Sequence, residues 1–195
     1  MIEATLSDKN KIVEILTLTF EQNQSVNYIV KQDESHLFRI KYLMEYAYNV
    51  CDAFGKVLLS DDGKACALVM FPDKKHFSLR SLFWDLNLIF SVTGIGNISK
   101  VMKRESQIKA HHPAVPFYYL WFIGVHPEHT GIGIGSNLLQ EIISDAEAMD
   151  RPIYLETSTL KNLPWYKKFG FKIFDELNLS YTLYFLKLLH KNPVI

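Results

Sequence analysis

From Phe117 to Val125 the chain reads FYYLWFIGV, a run that is almost wholly apolar. A strand of that kind cannot lie on a sheet with one wet face, so it marks a central strand covered on both sides. The chain then passes through HPEHTGIGIG into a helix carrying Leu138, Leu139, Ile142, Ile143 and Ala146 on one face. A further strand follows at Ile153 to Thr157. Strand, loop, helix and strand in that order form a right-handed crossover, which predicts that the two strands are parallel.

The flanking segments predict antiparallel groups on both sides of that pair. Ile2 to Leu6 reads as a first strand. Asp8 is placed to cap a helix with Ile12, Val13, Ile15, Leu16 and Phe20 at a 3.6-residue period. A second helix is predicted from about Glu34, with Leu37, Ile40, Leu43, Met44 and Ala47 on one side. Lys56 to Ser60 and Ala65 to Phe71 flank Asp62-Gly63 and read as an antiparallel hairpin. Leu82 to about Gln107 is predicted helical, broken near Gly94-Ile95-Gly96, and either packs on the sheet or closes a pocket. Apolar helical stripes are usually core, which favours packing. A short helix around Asn162 to Phe169 precedes a final antiparallel pair, Phe171 to Leu177 and Tyr181 to Leu189. The predicted class is α/β: one domain over residues 1–195, with a mixed, mostly antiparallel sheet, a parallel central pair and flanking helices. The apolar last strand is a candidate for pairing across a homodimer, although a covered edge would read the same way.

Composition narrows the partners. The formal net charge is zero, and binding to nucleic acid needs a basic excess or face. Lys100, Lys103 and Arg104 form a compact basic cluster, but Glu105 dilutes it and a solvated helix face is expected. The two cysteines, Cys51 and Cys66, lie in no metal-ligand spacing and read as buried free thiols of a reducing, cytoplasmic setting. The first residues, MIEATLSDKNK, contain no apolar signal core. No apolar run reaches the roughly 20 residues that span a bilayer, so no membrane partner is expected.

The loop between strand and helix carries Gly131, Gly133 and Gly135. Glycine lets backbone N–H groups turn inward and approach a ligand closely. The helix start adds unpaired N–H groups and the positive end of its dipole. That combination suits a pyrophosphate. No lysine follows in P-loop spacing, and GxGxG is not the GxGxxG of dinucleotide-binding folds.

Val125-x-Pro127 precedes the loop, with Thr130, Gly131, Gly133 and Gly135 in order. Downstream, LETSTLKNLPWYKKFGF (Leu155 to Phe171) contains Tyr166, Gly170 and Phe171. In these two motifs the sequence resembles the GNAT superfamily of acetyl-CoA-dependent N-acetyltransferases. Its second motif is worded most like the puromycin N-acetyltransferase-like branch. The resemblance covers roughly Phe117 to Phe174. It implies a GNAT-like fold whose parallel central strands splay apart, acetyl-CoA as cofactor, and acetyl transfer to the amine of a small molecule in a ternary complex.

It further implies that Thr130, Gly131, Ile132, Gly133, Ile134, Gly135 and Ser136 cradle the pyrophosphate. Thr130 stands where the superfamily usually has Gln or Arg, so it contributes only backbone. Main-chain groups of Ile123 and Val125 would hold the pantetheine arm, and one N–H would serve as an oxyanion donor. Gly124 would either open the strand for that arm or relieve crowding on a packed sheet. Tyr166 matches the position of a general acid, and a packed aromatic is the alternative. Glu156, at a strand's carboxyl end, is expected to take the amine proton or hold the amine, or else to form a salt bridge or cap. Asn162 would bond the pantetheine arm or cap the short helix. His126 and His129 read as solvated loop residues, His111-His112 has no ligand-like companion at a helical spacing, and no metal is expected. Phe20, Tyr28, Phe83, Trp84 and Phe90 either line an acceptor cleft or belong to the core. Two other functions remain open: acetylation of a protein or peptide, and a non-catalytic acyl-CoA-binding module.

Overall fold

A computed structural model describes residues 1–76 and 79–189. Its strands are Ile2–Glu3 (β1), Gly55–Leu59 (β2), Ala65–Met70 (β3), Tyr118–Val125 (β4), Ile153–Thr157 (β5), Lys172–Asn178 (β6) and Thr182–Leu188 (β7). They form one sheet in the order β1-β2-β3-β4-β5-β7-β6, in which only β4 and β5 run parallel. The helices are Lys9–Phe20 (α1), Gln24–Ile29 (α2), His36–Phe54 (α3), Leu79–Leu88 (α4), Ile98–Ala110 (α5), Ile134–Ala148 (α6) and Leu163–Lys168 (α7).

Two cores lie on opposite faces of the sheet. Ile12, Leu16, Ile40, Met44 and Ala47 of α1 and α3 pack on Val57, Leu59, Cys66, Leu68 and Phe122. Leu138, Leu139, Ile142 and Ala146 of α6 pack on Leu58, Ala67, Val69, Tyr118 and Leu120. The switch of β4 from even-numbered residues facing α6 (Tyr118, Leu120) to an even-numbered residue facing α1 (Phe122) has a local cause. Leu68 pairs with Phe122 and Val69 with Leu120, so Trp121 is an extra residue, a β-bulge that turns the strand over. Cys51 and Cys66 are free and buried. No helix among the described residues is long and apolar enough to cross a membrane.

Several expectations change. The first strand is only Ile2–Glu3, because Leu6–Asp8 forms a 3-10 turn closed by Thr5 and Asp8. The Asp8 carboxylate accepts from Thr5 N–H at 2.9 Å and from Thr5 Oγ1 at 2.8 Å, so it braces that turn and does not cap α1. A short helix, α2, was not foreseen; Asn23 caps it by accepting from Val26 N–H at 3.1 Å. The segment from α4 through a π-helical turn at Ile89–Thr93 to α5 does both things expected of it: α4 and the turn pack against α3, α5 sets Ile108 on Leu183 and Phe185 of β7, and the whole segment borders the main cavity. β7 lies between β5 and β6, with both edges paired, so it cannot pair with a second copy; the sheet ends at β1 and β6.

Candidate active site

The parallel pair is short. Tyr118 pairs with Ile153 and Tyr119 with Tyr154, and there the ladder stops. β5 stays with β7 over its whole length, from Ile153 opposite Leu188 to Thr157 opposite Tyr184. β4 stays with β3, so the two strands diverge. His126 N–H reaches Lys64 O at 2.8 Å. In an antiparallel ladder the bonding residues alternate. Gly124 and Phe122 therefore bond towards β3, and the main-chain groups of Ile123 and Val125 turn into the gap. A cavity of about 950 Å³ occupies that gap and continues among α2, α3, α4 and α5.

The glycine loop sits at its mouth. Gly131 and Gly133 have φ of +81° and +90°, and a Cβ at either would meet nothing within 4 Å. Glycine is required there by backbone conformation and not by space. At Gly135 a Cβ would come within 3.0 Å of Val125 Cγ2, so α6 begins hard against β4. Among the described residues no protein acceptor takes the N–H groups of Gly131 to Ser136. Gly133 is the N-cap of α6 and provides no side-chain cap, which leaves the first turn's amides available to an anion. Thr130 Oγ1 donates back to Pro127 O at 3.1 Å, and Ile132 projects into solvent. Trp165 Nε1–H donates to Ser136 Oγ at 2.9 Å and ties α7 to this turn.

Gly124 has a different explanation from a ligand's approach. A Cβ there would lie 3.1 Å from Thr19 Oγ1 and 3.2 Å from Leu16 Cδ2, so the glycine admits α1. The β-bulge of this strand lies at Trp121 and not at the glycine. Thr19 Oγ1 lies 3.0 Å from Val125 O, within hydrogen-bonding reach.

Tyr166 is 5% exposed, with its ring 4.7 Å from Trp165 and 5.5 Å from Phe171. Its hydroxyl has no hydrogen-bond partner among the described residues, and the side chain borders the cavity. Burial pushes the phenol well above its ordinary pKa. Glu156 borders the same cavity from the α5 side of the sheet, with its side chain 10% exposed. Tyr119 donates to Glu156 Oε2 at 2.7 Å, and His112 Nε2 stands 3.4 Å from Oε1. Burial, reinforced by the Glu156 charge, holds the Tyr119 phenol far above its usual range. Asn162 is the N-cap of α7 by position, yet its side chain makes no capping bond and borders the cavity.

His112 is the residue that sequence reasoning missed. Its companion in space is Glu156, at no helical spacing; its ring also contacts Phe117 and Tyr119 at 5.1 and 5.0 Å. His111 pairs with Asp175 at 3.2 Å. Neither contact follows a helical or strand spacing, so no local signal announces it. Arg104 also departs from expectation. It is 8% exposed, and donates to Tyr181 OH at 3.0 Å and to Ser25 and Glu105, so it is an internal strut and not part of a solvated face. Phe20 borders the cavity, whereas Tyr28 packs on Tyr181 and Phe83 is 62% exposed. Trp84 is not among the cavity's lining residues, and the Phe90 side chain lies outside those described. His126, Glu128 and His129 each place one ligand atom within 4.8 Å of the others on the Pro127–His129 turn. Two imidazoles and a carboxylate suit a borderline divalent ion, but Lys11 and Lys64 line the same hollow and oppose a cation.

The family model for the acetyltransferase (GNAT) domain matches residues 94–173. Among solved structures, the chain is similar to one described as histone acetyltransferase HPA2 and related acetyltransferase from Corynebacterium glutamicum. That match has 21% identity and a TM-score of 0.74, and covers all of this chain and 97% of the other. Arylalkylamine N-acetyltransferase 2 from Aedes aegypti matches with 12% identity and a TM-score of 0.67, over 96% of this chain and 97% of that one. The C-terminal condensation domain of Ebony, solved with beta-alanyl-dopamine, matches with 9% identity and a TM-score of 0.67, over 96% of each chain. At these identities the likeness is one of fold, and the fold agrees over the full length. The stretch 94–173, which holds the splayed strand, the glycine loop and Tyr166, is the part that resembles the GNAT acetyltransferase domain, within a chain that follows the GNAT fold throughout.

Proposed function

We propose that this protein transfers the acetyl group of acetyl-CoA to the amine of a small molecule, by direct attack in a ternary complex. The observation that carries the proposal is the row of unengaged amides from Gly131 to Ser136 at the mouth of a cavity that runs between β4 and β5 to Tyr166 and Glu156. When bound, acetyl-CoA supplies a thioester already activated towards amines. Much of the rate then comes from holding two reactants in line.

The amides of the loop and the first turn of α6 hold the pyrophosphate. The main-chain groups of Ile123 and Val125 replace the missing strand partner for the pantetheine arm, and one N–H receives the oxygen of the thioester carbonyl as negative charge builds there. Glu156 takes the proton released by the attacking amine, with Tyr119 and His112 fixing the carboxylate. As the C–S bond breaks and its electron pair leaves with sulfur, the Tyr166 hydroxyl donates a hydrogen bond to the thiolate. Asn162 bonds the arm on the α7 side. The part of the cavity lined by Phe20, Leu43, Trp121 and Phe122 suits a small, largely apolar amine better than a polypeptide. The likeness in wording to the puromycin N-acetyltransferase-like branch enters only as a choice of trial acceptors.

A thiol-release assay with acetyl-CoA over a panel of amines, run beside a calorimetric titration of coenzyme A, tests the proposal. Coenzyme binding together with amine-dependent thiol release is expected. Binding without release on any amine would make the protein an acyl-CoA-binding module, and release only with peptide acceptors would move the substrate to polypeptides.

A further inference from the structure

Besides Glu156 the cavity is lined by two carboxylates that the acetyl transfer does not use, Glu105, which is paired with Arg104, and Asp85. Asp85 lies on α4, and Tyr46 of α3 donates to Asp85 Oδ1 at 2.7 Å. Burial, followed by the Asp85 bond and charge, drives the Tyr46 phenol well above its ordinary pKa, so it remains a donor. The charge on Asp85 meets no cation within 4.0 Å among the described residues, in contrast to Glu105, which Arg104 neutralises. Lys75 also borders the cavity, but it is exposed to water.

Glu156 and Asp85 are joined by a lane of aromatic rings. Tyr119, bonded to Glu156, stacks with Trp121 at 6.3 Å and 21° between planes. Trp121 meets Tyr46 edge-on at 6.2 Å. The bulge matters here, because it puts Trp121 and Phe122 side by side on the same face, and both border the cavity. An apolar floor with an anionic group at each end favours an elongated guest with a hydrogen-bond donor at each end. A charged donor gains most, because Coulomb attraction to the carboxylate adds to the hydrogen bond that a neutral donor also makes.

We infer that Asp85, held by Tyr46, is a second recognition point for an acceptor with an elongated apolar body, an amine at Glu156 and a further donor at its far end, preferably a second ammonium. This rests on the acetyltransferase reading above, whose own test is turnover of any amine at all.

The experiment compares matched pairs: hexylamine with hexamethylenediamine, and phenethylamine with tyramine. Wild type is expected to prefer the diamine in kcat/KM, with tyramine gaining less over phenethylamine. In Asp85→Asn the diamine's advantage falls by about tenfold, as expected for loss of a bond to a charged group, while hexylamine is processed as in wild type. Tyr46→Phe keeps the charge and retains the preference. Calorimetric titration of the same amines into the coenzyme A-loaded protein reads the preference without turnover, so a failure of catalysis does not obscure it. A tyramine advantage larger than the diamine's would overturn the preference for a second ammonium. Equal treatment of hexylamine and hexamethylenediamine by wild type, or a ratio unchanged in Asp85→Asn, would overturn the inference.

Discussion

Removing one oxygen atom separates the chemical role of Tyr166 from its structural one. The ring packs against Trp165 and Phe171, and phenylalanine keeps both contacts. The hydroxyl is buried and has no protein partner among the described residues, so its loss breaks no bond in the resting fold. An unpartnered buried hydroxyl costs about 1 to 3 kcal/mol when dry, and less where water reaches it from the cavity. Tyr166→Phe is therefore expected to be as stable as the native chain, or slightly more so. The catalytic effect runs the other way. An ordinary thiol has a pKa near 8.5 and a phenol near 10, and burial widens that gap. Full proton transfer to the thiolate is uphill, so in the proposed mechanism Tyr166 acts as a hydrogen-bond donor. A hydrogen bond to a charged group contributes about 1.5 to 3 kcal/mol, which corresponds to a loss of roughly 10- to 150-fold in rate. Because the phenol stays protonated beyond pH 10, the ratio of native to variant rates should be flat across the neutral range. The measurements are thiol release under saturating acetyl-CoA, coenzyme A affinity by calorimetry, and thermal unfolding. Unchanged turnover would refute the donor role. A loss of turnover accompanied by an equal loss of coenzyme affinity or of stability would refute the separation of roles.

Three other outcomes follow from the same geometry. Gly133→Ala places a side chain at a φ of +90°, which costs about 1 to 2 kcal/mol; coenzyme affinity or melting temperature should fall accordingly, and less in Gly133→Asn, which tolerates that conformation. Equal losses in the two variants, by calorimetry and thermal melts, would show that strain is not the cause. Glu156→Gln keeps the Tyr119 contact but cannot accept a proton, so kcat/KM for the amine should drop by about 10²-fold or more with coenzyme A affinity retained; calorimetry beside steady-state kinetics checks this. Burial raises Tyr46, Tyr118, Tyr119 and Tyr166 above their unfolded values. Their contribution to stability is complete below about pH 10 and lost as pH climbs further, because the unfolded chain then releases protons that the folded one retains. Melting temperature should fall steeply above that pH, with the share of tyrosinate absorbance that belongs to these four residues appearing only as the fold is lost.

The layout of the fold was legible because its signals are periodic and local. The apolar run at β4, the crossover through α6, the hairpin of β2 and β3, and the antiparallel final pair each declare themselves in adjacent residues. The positive φ of Gly131 and Gly133 follows from the same kind of signal, since conformational freedom belongs to the residue itself. Gly124 was ambiguous for the opposite reason. Its neighbours Leu16 and Thr19 are distant in sequence, and nothing near residue 124 shows which helix will lie across it.

The alternation of apolar side chains and the glycines of the loop were enough to determine a crossover with a left-handed glycine turn ahead of its helix. Only the tertiary structure decided which polar groups would meet. Arg104 reads as a surface charge until α5 is laid beside Ser25 and Tyr181. His112 has no companion until β4 and β5 bring Tyr119 and Glu156 beneath it. Backbone preference acts over a few residues and is written in their order. Side-chain encounters across a sheet depend on register, and a single extra residue at Trp121 re-aims every side chain that follows it in the strand.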